Sequence, residues 1–150
     1  MRIAIGSDHA GFELKERVKA HLGGSGHDVV DLGTNGPASV DYPDFARQVG
    51  EAVVRGETDF GVLVCGSGLG MEIAANKVVG VRAVQVMDAE MAKMSRLHND
   101  ANVVTLAGRY LELEQAEDIV DTFLSTPFEG GRHQRRIDKI TELERHSVAE

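Results

Sequence analysis

The chain carries one cysteine, Cys65, and it stands where a thiol can react. It closes the apolar run Phe60-Gly-Val-Leu-Val-Cys65. Three glycines follow at alternate positions, Gly66, Gly68 and Gly70, with Ser67 and Leu69 between them, and a helical pattern begins there. Strand, tight loop and helix start in that order aim backbone N–H groups and the positive end of a helix dipole at one point. An anion or a developing oxyanion is stabilised there, and a thiol in that position tends to ionise. A cysteine at a strand end is more ordinarily a small buried apolar group, and a glycine loop more ordinarily a turn needing positive φ. Three glycines in five residues exceed what one turn requires, so the loop reads as an oxyanion cradle.

Other polar residues fall beside the same kind of boundary. Ser7-Asp8-His9-Ala10-Gly11 follows the first apolar run, Asp41-Tyr42-Pro43 follows the loop after the second, and Gly108-Arg109 follows the last. Asp8 reads equally well as a helix cap, and Tyr42 equally well as packing. His98, in His98-Asn99-Asp100, could simply complement a helix C-terminus. Near the end of the chain Arg132 and Arg136 share one helix face, while Arg135 and Lys139 share another. Two guanidiniums on one face suit bidentate contacts to a phosphate. His21, His27, His133 and His146 read as surface residues. None of these groups forms a His/Cys/Asp cluster with metal-ligand spacing, so no metal is expected.

These groups need a scaffold, and the chain alternates strand and helix along its length. Strands are expected at Arg2–Gly6, His27–Leu32, Phe60–Cys65, Val81–Val86 and Val103–Ala107. Each is rich in Val, Ile or Leu without alternation, as in parallel strands covered on both faces. Between them Leu14, Val18 and Leu22 recur at helical spacing, as do Phe45, Val49 and Val53 behind Pro43. Met91, Met94 and Leu97 suggest the apolar side of a fourth helix, and Ala116, Ile119, Val120, Phe123 and Leu124 give the clearest stripe. After Gly130-Gly131 a final helix, about 134–146, offers a narrow seam of Ile137, Ile140 and Leu143. The pattern predicts one domain over residues 1–150, a three-layer α/β/α sandwich on a five-stranded parallel, Rossmann-like sheet with a C-terminal helix. Strand order is not readable.

Ligands in open α/β sheets sit at the carboxyl ends of the strands. Simple topology leaves His98 and Asn99 at the opposite side, so they could join the Cys65 site only if another subunit presented them or if that helix ran unusually. Composition narrows the partners. With 42% hydrophobic residues, 27% charged residues and a net charge of −8, the chain is ordinary for a soluble protein and poorly suited to nucleic acid or anionic membranes. No apolar run approaches a membrane span. The first residues enter a strand directly, leaving no room for a signal peptide, and one cysteine cannot form an internal disulfide, which together fit the cytoplasm.

The segments Gly6-Ser-Asp-His-Ala-Gly-Phe12, Asp41-Tyr42-Pro43, Cys65-Gly-Ser-Gly-Leu-Gly70, Ala74-Ala-Asn-Lys77, Gly80-Val-Arg-Ala83, His98-Asn-Asp100 and Glu129-Gly-Gly-Arg-His-Gln-Arg-Arg136 follow one another across nearly the whole chain. In that order they resemble the ribose-5-phosphate isomerase B family, which also contains galactose-6-phosphate and allose-6-phosphate isomerases. The resemblance implies an aldose–ketose isomerase acting on a small phosphorylated sugar through a cis-enediolate, with no cofactor. It implies Cys65 as the base between C2 and C1, His98 assisting ring opening, and Asp8 or Ser67 nearby. Amides of Gly66, Gly68, Leu69 and Gly70, with Asn99 and Tyr42, would hold the sugar and enediolate, and His9, Arg109, Arg132 and Arg136 the phosphate. It further implies a homodimer or tetramer sharing its sites between subunits. One branch of the family lacks the cysteine and uses a glutamate at the position of Met71. Glu72 is one residue beyond, so the chain falls in the cysteine branch. Ribose 5-phosphate is the default sugar, with allose 6-phosphate, galactose 6-phosphate or a tetrulose phosphate open. The rival reading is a nucleotide- or phosphate-binding module, with Asp88 standing 22 residues after Gly66 as a ribose-binding acid. Against it, Met71 stands where the dinucleotide fingerprint wants a small residue.

Overall fold

The computed structural model of the protein describes residues 1–149. Strands β1 (Arg2–Ser7), β2 (Asp28–Asp31), β3 (Phe60–Cys65), β4 (Ala83–Gln85) and β5 (Val103–Ala107) alternate with helices α1 (Phe12–Gly24), α2 (Tyr42–Val54), α3 (Leu69–Ala75), α4 (Ala89–Asn99), α5 (Leu113–Ser125) and α6 (Arg132–Ala149). All strand pairs are parallel, in the order β2-β1-β3-β5-β4. No helix among the described residues is long and apolar enough to cross a membrane.

The sandwich follows from the two-residue period of the strands. Ile3, Ile5, Val62, Val64, Val104 and Leu106 face one layer, where they pack with Leu14, Val18 and Leu22 of α1 and Ile119, Val120 and Phe123 of α5. Ala4, Leu63, Cys65 and Val103 face the other, against Ala46, Val49 and Ala52 of α2 and Met71 and Ala75 of α3. Because both faces are covered, the central strands read as unbroken apolar runs. β1 pairs with β2 on one side and β3 on the other. Chain direction across the sheet therefore reverses between β1 and β3, and a crevice opens at their carboxyl ends.

Two sequence expectations are corrected, the buried face of α4 and the exposure of His133. Helix α4 buries Ala92, Ser95 and Arg96, while Met91 is exposed and Met94 and Leu97 are only half-buried. An arginine can replace the methionines because every part of it has a partner. Its guanidinium donates to Asp100 Oδ1 and the Ala101 carbonyl, both at 2.7 Å, and lies 4.8 Å from the Phe60 ring centroid. Of the α6 seam only Ile137 is buried; Ile140 and Leu143 are exposed. His133, expected on the surface, is buried, because α6 lies against α4 and the imidazole faces that contact.

Lys15 is fully buried, and its Nζ meets Asp31 Oδ1 at 2.9 Å, Glu16 at 3.2 Å and the Thr34 carbonyl. Burial pushes the Asp31 carboxyl up, but hydrogen bonds from Lys15, the Gly33 amide and Lys19 outweigh it and hold it below its usual 3.8. The same contact raises the Lys19 amine above 10.5. A depressed carboxyl means that the unfolded chain binds more protons in that window, so the Asp31 contribution is present above pH 3.8 and is lost as pH falls further. The Lys19 contribution runs the other way and is lost as pH rises beyond 10.5. The thermal midpoint is expected to drop on acidification below pH 3.8, and Asp31→Asn should flatten that part of the profile; an unchanged acid limb would show that Asp31 does not carry it.

Candidate active site

Cys65 is the last residue of β3, only 4% exposed, with its Sγ on the α2–α3 side of the sheet. The chain then turns through Gly66, Ser67 and Gly68. Gly68 has φ 77°, a conformation that residues with a Cβ adopt only at a cost. The turn is held by carbonyls rather than amides. Gln85 Nε2 donates to the Ser67 carbonyl at 2.9 Å, and Thr105 Oγ1 donates to the Gly68 carbonyl at 2.8 Å. A planar trans peptide points its N–H opposite to its C=O. Drawing both carbonyls back onto β4 and β5 therefore turns the next two amides outward. The Gly68 N–H donates to Cys65 Sγ at 3.2 Å, and the Leu69 N–H donates to Ser67 Oγ at 3.2 Å.

The cleft in front of the thiol encloses about 340 Å³ and is lined by Asp8, His9, Tyr42, Cys65, Gly66, Ser67, Gly70 and Arg109, with Ala10 and Tyr110. Two glycines make room for its walls. A Cβ on Gly66 would come within 3.1 Å of the Arg109 guanidinium, and one on Gly70 within 2.7 Å of the Tyr42 ring. Asp8 accepts the Gly11 N–H at 3.0 Å, so it caps the turn into α1 and lines the cleft as well. His9 Nδ1 accepts the Val40 N–H at 3.2 Å, which leaves the proton on Nε2 and makes that nitrogen a donor when the ring is neutral. Met71 is fully buried in the core, and Glu72 does not line the cleft.

His98, Asn99, Arg132 and Arg136 do not line this cleft. His98 and Asn99 end α4 at the amino end of β5, as simple topology requires. Asp100 caps that helix with φ 45° and is tied to Arg96 and Arg82. The His98 ring stacks on His133, with centroids 4.3 Å apart and planes 15° apart. Glu129, whose N–H donates to the Leu97 carbonyl at 3.1 Å, lies 3.9 Å from both rings. Burial holds the His133 imidazole below its usual range, helped by His98, Arg132 and Arg136 and opposed by Glu129. Arg132 and Arg136 stand exposed on the adjoining turns of α6. The chain thus holds the Cys65 cleft and the His98 group at opposite ends of the sheet.

Sequence reasoning missed Gln85, Thr105, Tyr110, Glu129 and His133. Thr105 and Gln85 had a signal, since each is the polar residue in an apolar strand. The pairing of His133 with His98 spans 35 positions between different helices and had none.

The chain matches the ribose/galactose isomerase family over residues 3–140. It is 48% identical over 143 residues to ribose-5-phosphate isomerase B of Escherichia coli, covering 95% of this chain and 96% of that one. Ribose-5-phosphate isomerase B of Clostridium thermocellum superposes with a TM-score of 0.97 at 52% identity, over 98% of this chain and 99% of the other. A Mycoplasma genitalium ribose-5-phosphate isomerase B, solved with bound ribulose 5-phosphate, matches at a TM-score of 0.91 and 46% identity, over 96% of each chain.

Proposed function

Because the chain belongs to the ribose/galactose isomerase family, we propose that it interconverts ribose 5-phosphate and ribulose 5-phosphate through a cis-enediolate. The observation that carries the reading is the Cys65 thiol, held 3.2 Å from the Gly68 amide in a cleft that also contains His9 and Arg109. In the open-chain aldose the Cys65 thiolate takes the proton from C2. The C1–C2 double bond forms and the electron pair moves onto O1, where loop amides stabilise the charge. The O2 proton passes to O1, C1 receives the proton from Cys65, and the ketose results. Asp8 and Ser67 line the same cleft and orient the hydroxyls.

The remaining groups come from a second copy. The partner subunit's His98 assists ring opening, the partner's Asn99 holds an enediolate oxygen, and the partner's Arg132 and Arg136 complete a phosphate site begun by His9 and Arg109. The exposed apolar side chains of Ile73, Val79, Ile140 and Leu143 are surface that such a dimer could cover. A cytoplasmic setting fits the free thiol that the chemistry needs. The nucleotide-module reading loses its acid, because the Asp88 carboxylate accepts the Met91 N–H at 2.8 Å and caps α4.

Assay against a panel of aldose phosphates tests the substrate, with ribose 5-phosphate expected to give the highest kcat/KM; a clear preference for a hexose 6-phosphate would move the assignment within the family. Turnover should survive exhaustive chelation, since no step uses a metal, and loss on EDTA with rescue by a divalent ion would sink the mechanism. Arg132→Ala and Arg136→Ala should each raise KM on the order of tenfold or more, the effect of a lost charge-assisted hydrogen bond. Inhibition by inorganic phosphate should weaken in parallel, and unchanged KM in both variants would put the phosphate elsewhere.

A further inference from the structure

Away from the cleft, the contact between α4 and α6 assembles a donor set that the isomerisation does not require. His98 Nε2 lies 3.9 Å from Glu129 Oε2, and His133 Nε2 lies 3.9 Å from Glu129 Oε1. All three donor atoms fall within 4.8 Å of one another. The three residues come from two chain segments, the end of α4 and the stretch that leads into α6, brought together by backbone. Glu129 is pinned through its N–H to Leu97, beside His98. Gly130 and Gly131, both with positive φ, then fold the chain so that His133 returns beneath Glu129. His133 supplies the second observation. Its side chain is 7% exposed, and Nε2 is buried without a hydrogen-bond partner. A buried imidazole nitrogen left unpaired is costly in an otherwise satisfied fold, and a bound cation would satisfy it.

We propose that His98, Glu129 and His133 form a binding site for a borderline divalent transition ion such as Zn²⁺, and that its occupancy inhibits the enzyme by withdrawing His98. The inhibitory half rests on the ring-opening role given to His98 above; the binding half does not. Two imidazoles and one carboxylate are a donor set that zinc accepts, with a fourth position left for water. Donors on a tetrahedral zinc stand about 3.4 Å apart, given bonds of about 2.0–2.2 Å, so the two 3.9 Å edges need to close by roughly half an ångström. Stacked rings hold their lone pairs side by side, so one ring must turn for both to reach one ion. His98 and Glu129 are the partners free to adjust, at 34% and 53% side-chain exposure, while His133 stays fixed. Arg132 and Arg136 oppose a cation nearby, which puts the affinity in a regulatory rather than a structural range.

Zinc titration of the intact chain against a chromogenic chelator tests binding without reference to turnover. One strong site per chain is expected, weakened at least tenfold in Glu129→Gln and in His133→Gln and retained in Cys65→Ala. Glu129 is exposed, so its variant should fold whatever befalls the His133 one. Zinc should inhibit wild-type turnover reversibly by EDTA, whereas Glu129→Gln should keep its basal rate and need at least tenfold more zinc. Affinity unchanged in Glu129→Gln, or lost in Cys65→Ala, would overturn the site by showing that zinc binds elsewhere. Full turnover with the site saturated would overturn the inhibition. Zinc bound at the trio in a protein that isomerises no sugar phosphate would support the site and remove the proposed function instead.

Discussion

Cys65→Ala should lose at least about 10² in kcat while still binding substrate, the usual loss of a positioned general base being ~10²–10⁴ in rate. The geometry makes the expectation specific. The thiol is almost wholly buried, so water cannot replace it easily, and the Gly68 N–H donates a hydrogen bond to its sulfur. That amide is held by Gln85 and the next one, of Leu69, by Thr105, so the oxyanion environment should survive the substitution and KM should change little. Cys65→Ser should do little better than Ala, because a hydroxyl stays protonated near neutrality. Iodoacetamide should inactivate the wild type, and substrate should protect it. Near-normal solvent exchange at C2 in Cys65→Ala, with exchange lost in Glu72→Gln, would transfer the role to Glu72.

Mixing inactive Cys65→Ala and His98→Ala proteins should regenerate activity from two preparations that have almost none. Each protomer holds Cys65 at the carboxyl end of β3 and His98 at the far end of the sheet, and no residue of the His98 group lines the Cys65 cleft. If the partner's His98 completes the site, a mixed dimer contains one intact pair and one doubly defective pair. Random exchange makes about half of the dimers mixed, so about a quarter of wild-type sites should return. Dilution to monomer should abolish turnover in the wild type. No recovery after subunit exchange is verified would mean that both residues serve the same protomer's site, which would demand a large rearrangement of α4.

Much of this architecture was legible in local patterning. The five apolar runs became the five strands because a parallel strand between two helical layers must be apolar on both faces. The glycine spacing after Cys65 announced the loop, since Gly68 needs positive φ and Gly66 and Gly70 leave space for Arg109 and Tyr42. Where local pattern failed, a tertiary partner had overridden it. Met91 and Met94 look apolar at helical spacing, yet α4 turns Arg96 inward, because Asp100, Ala101 and Phe60 together satisfy a buried guanidinium. His133 looked like one more polar residue in a basic stretch and is buried against His98.

By itself the sequence determined the order of elements, the cysteine at the end of β3 and the loop that faces it, because those depend on residues adjacent in the chain and on φ values that only glycine adopts readily. Tertiary structure decided the strand order that opens the crevice between β1 and β3. It also decided the outward turn of the loop amides, through side chains on β4 and β5, and the meeting of His98, Glu129 and His133. These depend on which distant segments pack together, and helix and strand periodicities record only that a face is buried, never against what.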